Sequence, residues 1–256
     1  MHDQPVYLLV GGAGGIGSAL ARRLIARGAA LVLAGRDESR TRDRAAELNA
    51  QAQAAHARSA FSETVDTTSF QQVQDLVARV LEVHGRLDGV ANLAGSILIK
   101  PVASVSEGEF HETINQNLTT AFAVVRAAAR PMQKAGRGSI VLMSSCAARI
   151  GLLHHEAIAA AKAGVIGLTQ AAAASLAASG VRVNCVAPGL TDTPMAARLT
   201  ASDSARAASI AMHPLGRLGE PDDIARAVEW LLTDDASWVT GQTIGVDGGL
   251  ATIRGR

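Results

Sequence analysis

Short aliphatic runs separated by longer amphipathic stretches narrow the fold of this chain more than any other feature. Val6–Val10, Ala30–Ala34, a weak run near Ala57–Phe61, Asp88–Leu93, Ser139–Met143, Val181–Val186 and Thr243–Val246 read as strands. Between them Gly15–Arg27, Ser39–Ala54, Ser69–His84, Glu107–Lys134, His155–Ala178 and Pro221–Thr233 read as helices. The long Glu107–Lys134 stretch is expected to break near Gly108, and Pro221 suits a first helical turn. Strands this apolar are buried on both faces, which the helices of parallel crossovers provide. Crossovers of one hand wind such a sheet in both directions. The sequence therefore predicts α/β architecture: one Rossmann-type, doubly wound parallel-sheet domain over residues 1–256.

Nothing in the composition argues for a second unit or a linker. No Pro/Ser-rich tract, block of like charges or long-period repeat is present. Apolar residues at 48% against 18% charged exclude a disordered chain. A net charge of +1 supplies no basic field for nucleic acid or an anionic membrane. Apolar stretches are interrupted by charges such as Arg22, Arg23 and Lys162, so none is expected to reach the roughly 18–20 residues of a membrane span. Met1 to Pro5 carry an acid and no basic-then-apolar leader pattern. The two cysteines, Cys146 and Cys185, have no metal or redox spacing. No metal site is expected, and a reducing cytoplasm is the default compartment.

The first strand runs directly into Gly11-Gly12-Ala13-Gly14-Gly15-Ile16-Gly17 and then a helix. Glycine permits a tight turn and close backbone approach to a pyrophosphate. The helix start adds free N–H groups and a positive dipole end. Strand, loop and helix in this order point to a dinucleotide rather than to a merely flexible loop.

Gly11, Gly15 and Gly17 stand as GxxxGxG. Asn92-Leu93-Ala94-Gly95 follows the fourth strand, Asn184 to Gly189 reads NCVAPG, Thr193-Pro194-Met195 comes next, and Gly241 to Gly249 reads GQTIGVDGG. Together and in this order they resemble the classical short-chain dehydrogenase/reductase family over almost the whole chain. Two departures are Val10, where the family often has Thr, and Leu93, where its NNAG motif has a second Asn. The resemblance implies a nicotinamide cofactor held by Gly11, Gly14, Gly15, Ile16, Gly17, Asn92, Ala94, Gly95, Lys162, Pro188, Gly189 and Thr191.

At the end of the second strand an acidic residue favours NAD through the ribose hydroxyls, whereas a guanidinium favours the 2′-phosphate of NADP. This chain has Gly35 at the acidic position, followed by Arg36. That resembles the pattern preferring NADP(H) over NAD(H); otherwise Arg36 is a solvated charge paired with Asp37 or Glu38. Asp66 matches the family aspartate that meets the adenine, or else caps the helix after it.

The resemblance further implies general acid–base hydride chemistry by a Tyr, a Lys four residues later, a Ser thirteen residues before the Tyr, and an Asn on the preceding long helix. Lys162, Ser145 and Asn117 match three of these positions. The fourth is Ile158, and the chain's single tyrosine is Tyr7, expected to be buried structure in the first strand. His154 and His155 lie four and three residues before Ile158, on nearly its face if all three are helical. Imidazole exchanges protons near neutral pH. Either His155, ahead of His154, takes over the proton, or both are a polar helix start. A longer relay through Ser145, Asn117 and Lys162 is a further route. Cys146 reads as core rather than nucleophile, and His213 as a surface turn rather than a border of the substrate site.

Residues 190–213 are implied to form a mobile lid over the substrate, with Thr191, Asp192, Met195, Arg198 and Met212 as a mixed lining. The small residues of the Lys162 helix (Gly164, Gly167, Ala171–Ala174) permit close helix approach. By resemblance this helix and Glu109–Lys134 pair across two-fold axes in a homotetramer or dimer. Two functions emerge. One is an NADP(H)-dependent oxidoreductase interconverting a small-molecule carbonyl and a secondary alcohol with a non-standard proton donor. The other is a catalytically silent nucleotide-binding sensor or scaffold subunit.

Overall fold

The computed structural model describes residues 4–54 and 60–253. The strands are β1 (Val6–Val10), β2 (Ala30–Gly35), β3 (Ala60–Thr64), β4 (Gly89–Asn92), β5 (Gly138–Met143), β6 (Val181–Pro188) and β7 (Thr243–Val246). The helices are α1 (Gly15–Ala26), α2 (Glu38–Ala54), α3 (Phe70–His84), α4 (Glu107–Ile114), α5 (Thr120–Ala135), α6 (Glu156–Leu176), α7 (Asp203–Ala211) and α8 (Pro221–Leu232). The strands form one parallel sheet in the order β3-β2-β1-β4-β5-β6-β7. This is the expected single-domain, doubly wound α/β fold.

Period-two side-chain alternation splits the core between the two faces of the sheet. Val6, Leu8 and Val10 of β1 pack with Val73, Val124 and Val165 from α3, α5 and α6. Tyr7 and Leu9 pack with Leu20, Leu48 and Ile224 from α1, α2 and α8. Strand order reverses between β1 and β4, and a crevice at the carboxyl ends of strands opens at such a switch point. Pairing of Val10 with Asn92, Asn92 with Leu142 and Met143 with Val186 brings the ends of β1, β4, β5 and β6 to one edge.

Three expectations need correction. The third strand runs on to Thr64, past the expected end at Phe61, because its pairing with β2 continues to Gly35; among the described residues it opens at Ala60, both of whose backbone groups bond Asn49 on α2. Positions 57–59 of that expectation, and 1–3 of the leader reading, lie outside the described residues. The break in the long helical stretch falls not at Gly108 but at a π-helical turn, Asn115–Thr119. Gly108 instead sits inside the first turn of α4, held by the capping box of Ser106 and Glu109. The stretch Glu156–Ser179 is, by length and composition, long and apolar enough to cross a membrane. Its buried Val165, Ala172 and Leu176 pack into the sheet's core, so here it is a layer of the fold. The 190–213 segment contains α7, started by Ser202, whose hydroxyl accepts from Ala205 N.

Candidate active site

The glycine loop is shaped by contacts that exclude side chains. Gly11 has φ of +79°, and a Cβ there would lie 2.8 Å from Ala94 N. At Gly17 a Cβ would lie 2.5 Å from Gly11 O. The Gly11 N–H donates to Ala34 O at 2.7 Å, tying the loop to β2. The N-cap of α1 is Gly14, which has no side chain to cap the helix, and no acid occupies the first turn. The positive end of the helix therefore faces the cavity without an internal counter-charge. Gly11, Gly14, Gly15, Ile16 and Gly17 all line a cavity of about 670 Å³, which also takes Ala94, Gly95, Pro188, Gly189 and Thr191 as wall. These features fit the diphosphate of a nicotinamide dinucleotide.

Asn92 stands behind this wall. It is buried, its Oδ1 accepts from Ala94 N at 3.3 Å and its Nδ2 donates to Thr120 Oγ1 at 3.5 Å, so it holds the turn after β4. Asn117 is buried in the π turn, a widening of the helix that recurs at functional sites. Its Nδ2 donates to Thr113 O at 2.9 Å and Ser96 Oγ at 3.1 Å, and its Oδ1 accepts from Ser96 N at 3.2 Å. A Cβ at Gly95 would lie 2.7 Å from Asn117 Oδ1 and 3.3 Å from Lys162 Nζ. Gly95 is thus where the Asn and Lys side chains converge.

Lys162 is buried on α6 and its Nζ donates to Met143 O at 3.0 Å. Its own carbonyl accepts from Ser144 Oγ at 2.8 Å, so both ends of the residue are tied to the end of β5. Burial lowers its pKa from 10.5 to about 8. Ser145 lines the cavity, and its Oγ accepts from Ala147 N at 3.2 Å, which keeps the hydroxyl hydrogen for another acceptor. Cys146 is buried beside it, and burial pushes its thiol pKa up, against a nucleophilic role.

Ile158 is 4% exposed and lines the cavity one helical turn before Lys162. Tyr7 lies in the first half of β1, away from the carboxyl edge, with its pKa pushed up to about 12 by burial. The helical placement expected of the His pair is corrected: α6 begins at Glu156. His155 is its N-cap, and His154 precedes it with φ of +63°. His155 lines the cavity, with Nδ1 2.7 Å from Leu153 O. A carbonyl only accepts, so Nδ1 carries the hydrogen and Nε2 is left for exchange. His154 is not part of the wall.

On the β2 side, Arg36 is exposed and Arg40, on the first turn of α2, reaches the cavity wall. Arg40 escaped the sequence reading because only the helix geometry turns it toward the glycine loop. Asp66 does not cap α3; Ser69 does, accepting from Gln72 N at 3.3 Å. Asp66 closes its own turn through Thr68 N and Oγ1, which hold its carboxyl pKa below the ordinary range, with Arg36 adding attraction.

The expectation for His213 is overturned. It is 4% exposed, not on a surface turn, and lines the cavity. Its Nδ1 donates to Ser209 O at 2.8 Å and its Nε2 accepts from Leu190 N at 3.2 Å. It thereby ties α7 to the strand end at Gly189, whose N–H donates to Val246 O at 3.0 Å. Thr191 is buried against Gly189 O at 3.2 Å, and Arg206 of α7 pairs with Asp192 at 2.8 Å.

Residues 11–251 match the family model described as enoyl-(acyl carrier protein) reductase. The chain is 39% identical over 249 residues to cis-4-hydroxycyclohexanecarboxylate dehydrogenase of Sinomonas cyclohexanicum, covering 97% of each protein. It superposes on a short-chain type dehydrogenase/reductase from Mycobacterium ulcerans with a TM-score of 0.91 at 37% identity, covering 100% of this chain and 93% of that one. It also superposes on a variant of actinorhodin polyketide ketoreductase with NADPH, with a TM-score of 0.92 at 31% identity and 99% of each chain covered.

Proposed function

The chain belongs to the classical short-chain dehydrogenase/reductase family, a family of oxidoreductases, and on that premise we propose an NADP(H)-dependent enzyme that interconverts a carbonyl and a secondary alcohol without a phenolic proton donor. The observation that carries this reading is convergence on one cavity. The uncapped start of α1, Ser145 and Lys162 all line it, and Asn117 meets Lys162 at Gly95 behind it.

When bound, NADP(H) supplies or takes up a hydride at its nicotinamide ring. Gly14, Gly15, Ile16 and Gly17 hold its diphosphate, with Gly11, Ala94 and Gly95 as the close backbone wall. Arg36, joined by Arg40, meets a 2′-phosphate and favours NADP(H) over NAD(H). Pro188, Gly189 and Thr191 close the opposite side, Asp66 borders the adenine, and Asn92 positions the turn at Ala94. The ammonium of Lys162 binds the ribose hydroxyls. Ser145 Oγ donates its free hydrogen to the substrate oxygen as negative charge builds there. In reduction the imidazolium form of His155 gives its Nε2 proton to that oxygen and is left as the neutral ring with Nδ1–H on Leu153 O, and in oxidation Nε2 takes the alcohol proton back; Asn117 and Lys162 offer a second relay. The 190–213 segment acts as the lid. Exposed Phe110 on α4 and Phe122 on α5 support self-association as a dimer or tetramer through these helices and α6.

Ile158 favours a second reading, in which the protein holds the nucleotide but is silent. Purified protein with NADPH and a carbonyl panel separates the two. The enzyme reading expects NADPH oxidation above background and a loss of about 10²–10⁴-fold in His155→Ala if that ring is the donor. Tight NADPH binding with no turnover of any carbonyl refutes it and leaves the silent reading.

A further inference from the structure

Resting on the oxidoreductase reading above, we infer that the substrate is an uncharged, largely hydrocarbon ketone or secondary alcohol, not a keto acid or a phosphorylated compound. The wall contributed by the loop after β4, the loop ahead of α6 and the 190–213 segment includes Ile97, Ile99, Leu152, Met195, Leu199 and Met212, and its other polar side chains there, apart from the histidines, are uncharged hydroxyls such as Ser96, Thr193 and Ser209. Ile158 adds hydrocarbon beside Lys162. Among the described residues, no carboxylate lines the cavity and its cations are Arg40 and Lys162. Arg40 comes from α2 beside the glycine loop, and Lys162 Nζ is turned to Met143 O and Gly95. Both belong to the cofactor half.

The remaining titratable groups on the wall are two histidines and the Cys146 thiol, whose pKa burial raises, so it supplies no counter-charge to an anion. Both nitrogens of His213 are spent on Ser209 O and Leu190 N. His155 has Nε2 left, which the proposed reaction uses at the reacting oxygen. Of the lid's cations, Arg206 is tied to Asp192 at 2.8 Å and Arg198 is not on the wall. A carboxylate seated against the lid would be desolvated without a partner, which is strongly unfavourable.

The mouth of the cavity carries the same chemistry. Ile97, Ile99, Met195 and Met212 are each between 37% and 53% exposed, although they line the site. An apolar rim left in water gains from a ligand that covers it. The two flexible thioethers let that rim adapt to ligands of different outline.

Calorimetry with and without NADPH tests this on cyclohexanone, 4-methylcyclohexanone and 4-ethylcyclohexanone. A second pair is 4-oxocyclohexanecarboxylate and its methyl ester, which differ in charge at nearly constant shape. Affinity is expected to rise about fourfold per added carbon. The ester is expected to bind roughly 100-fold tighter than the free acid. Met212→Arg, at a half-exposed wall position, should shrink that gap about tenfold by supplying a counter-charge. An acid that binds as tightly as its ester, or a series with no gain per carbon, overturns the inference. NADPH oxidation with the same ketones addresses the underlying reading separately. If the binding order holds and no ketone turns over, the oxidoreductase reading fails while the ligand class stands. If turnover occurs and the acid is preferred, the ligand class fails while the oxidoreductase reading stands.

Discussion

Replacing Lys162 with methionine should stabilise the cofactor-free protein near neutral pH and destabilise it in strong alkali. The Lys162 pKa falls from 10.5 to about 8 because the ammonium is stripped of water. The difference, 10.5 minus 8, corresponds to about 3 kcal/mol of folding free energy. The unfolded chain binds the extra proton between the two values, so wild-type stability from this group rises with pH from about 8 to 10.5. Below that window the full penalty is present. Methionine removes it but leaves Met143 O without its donor, a loss of about 1 kcal/mol. The variant should therefore gain about 2 kcal/mol near pH 7 and lose about 1 kcal/mol above pH 10.5. Urea denaturation of both proteins across pH 6–11 reads the crossover as a change in sign. Subtracting the two curves cancels most of the opposing contribution of Cys185, whose buried thiol is raised to about 11. NADPH affinity should fall in the same variant, since the ribose loses its cation. A variant less stable than wild type at pH 7, with no crossover, would falsify the claim that this charge is held at a cost to folding.

Other outcomes follow from the same geometry. Arg36→Ala should weaken NADPH roughly tenfold or more and NADH little, measured by calorimetry; equal weakening refutes the 2′-phosphate role. Ile158→Tyr places a phenol one turn before Lys162 with room in the cavity, and should raise kcat on a neutral ketone by about 10²-fold. An unchanged kcat there means that the proton route does not pass this position. His213→Leu leaves Leu190 N without its acceptor and should lower stability by about 1–3 kcal/mol in urea titrations. Its KM should rise more than its kcat falls, because α7 loses its tie to the strand end; an unaltered KM argues against that link.

Local patterns carried most of the architecture. Alternation of apolar runs with amphipathic stretches is a property of the backbone over a few residues, and it located every strand except β3. Its described part reads Ala-Phe-Ser-Glu-Thr, too polar to stand out, and its Ala60 is held by the remote Asn49 side chain. The glycine loop was legible because steric exclusion at Gly11 and Gly17 leaves no other residue type. Lys162, Ser145 and Asn117 were legible through spacing, although nothing in spacing revealed that Asn117 sits in a π turn.

By itself the sequence determined the order of elements, the anion-binding turn and the hydrocarbon at position 158, since each rests on residue type within one short segment. Tertiary structure alone decided that His213 is a buried strut, that Arg40 reaches the cavity, that His155 lies at the helix start with Nδ1 anchored, and that the lid wall carries no carboxylate, lysine or arginine. Each of these depends on which distant segments share a wall. Packing sets that through the summed burial of two core layers, and no local pattern encodes it.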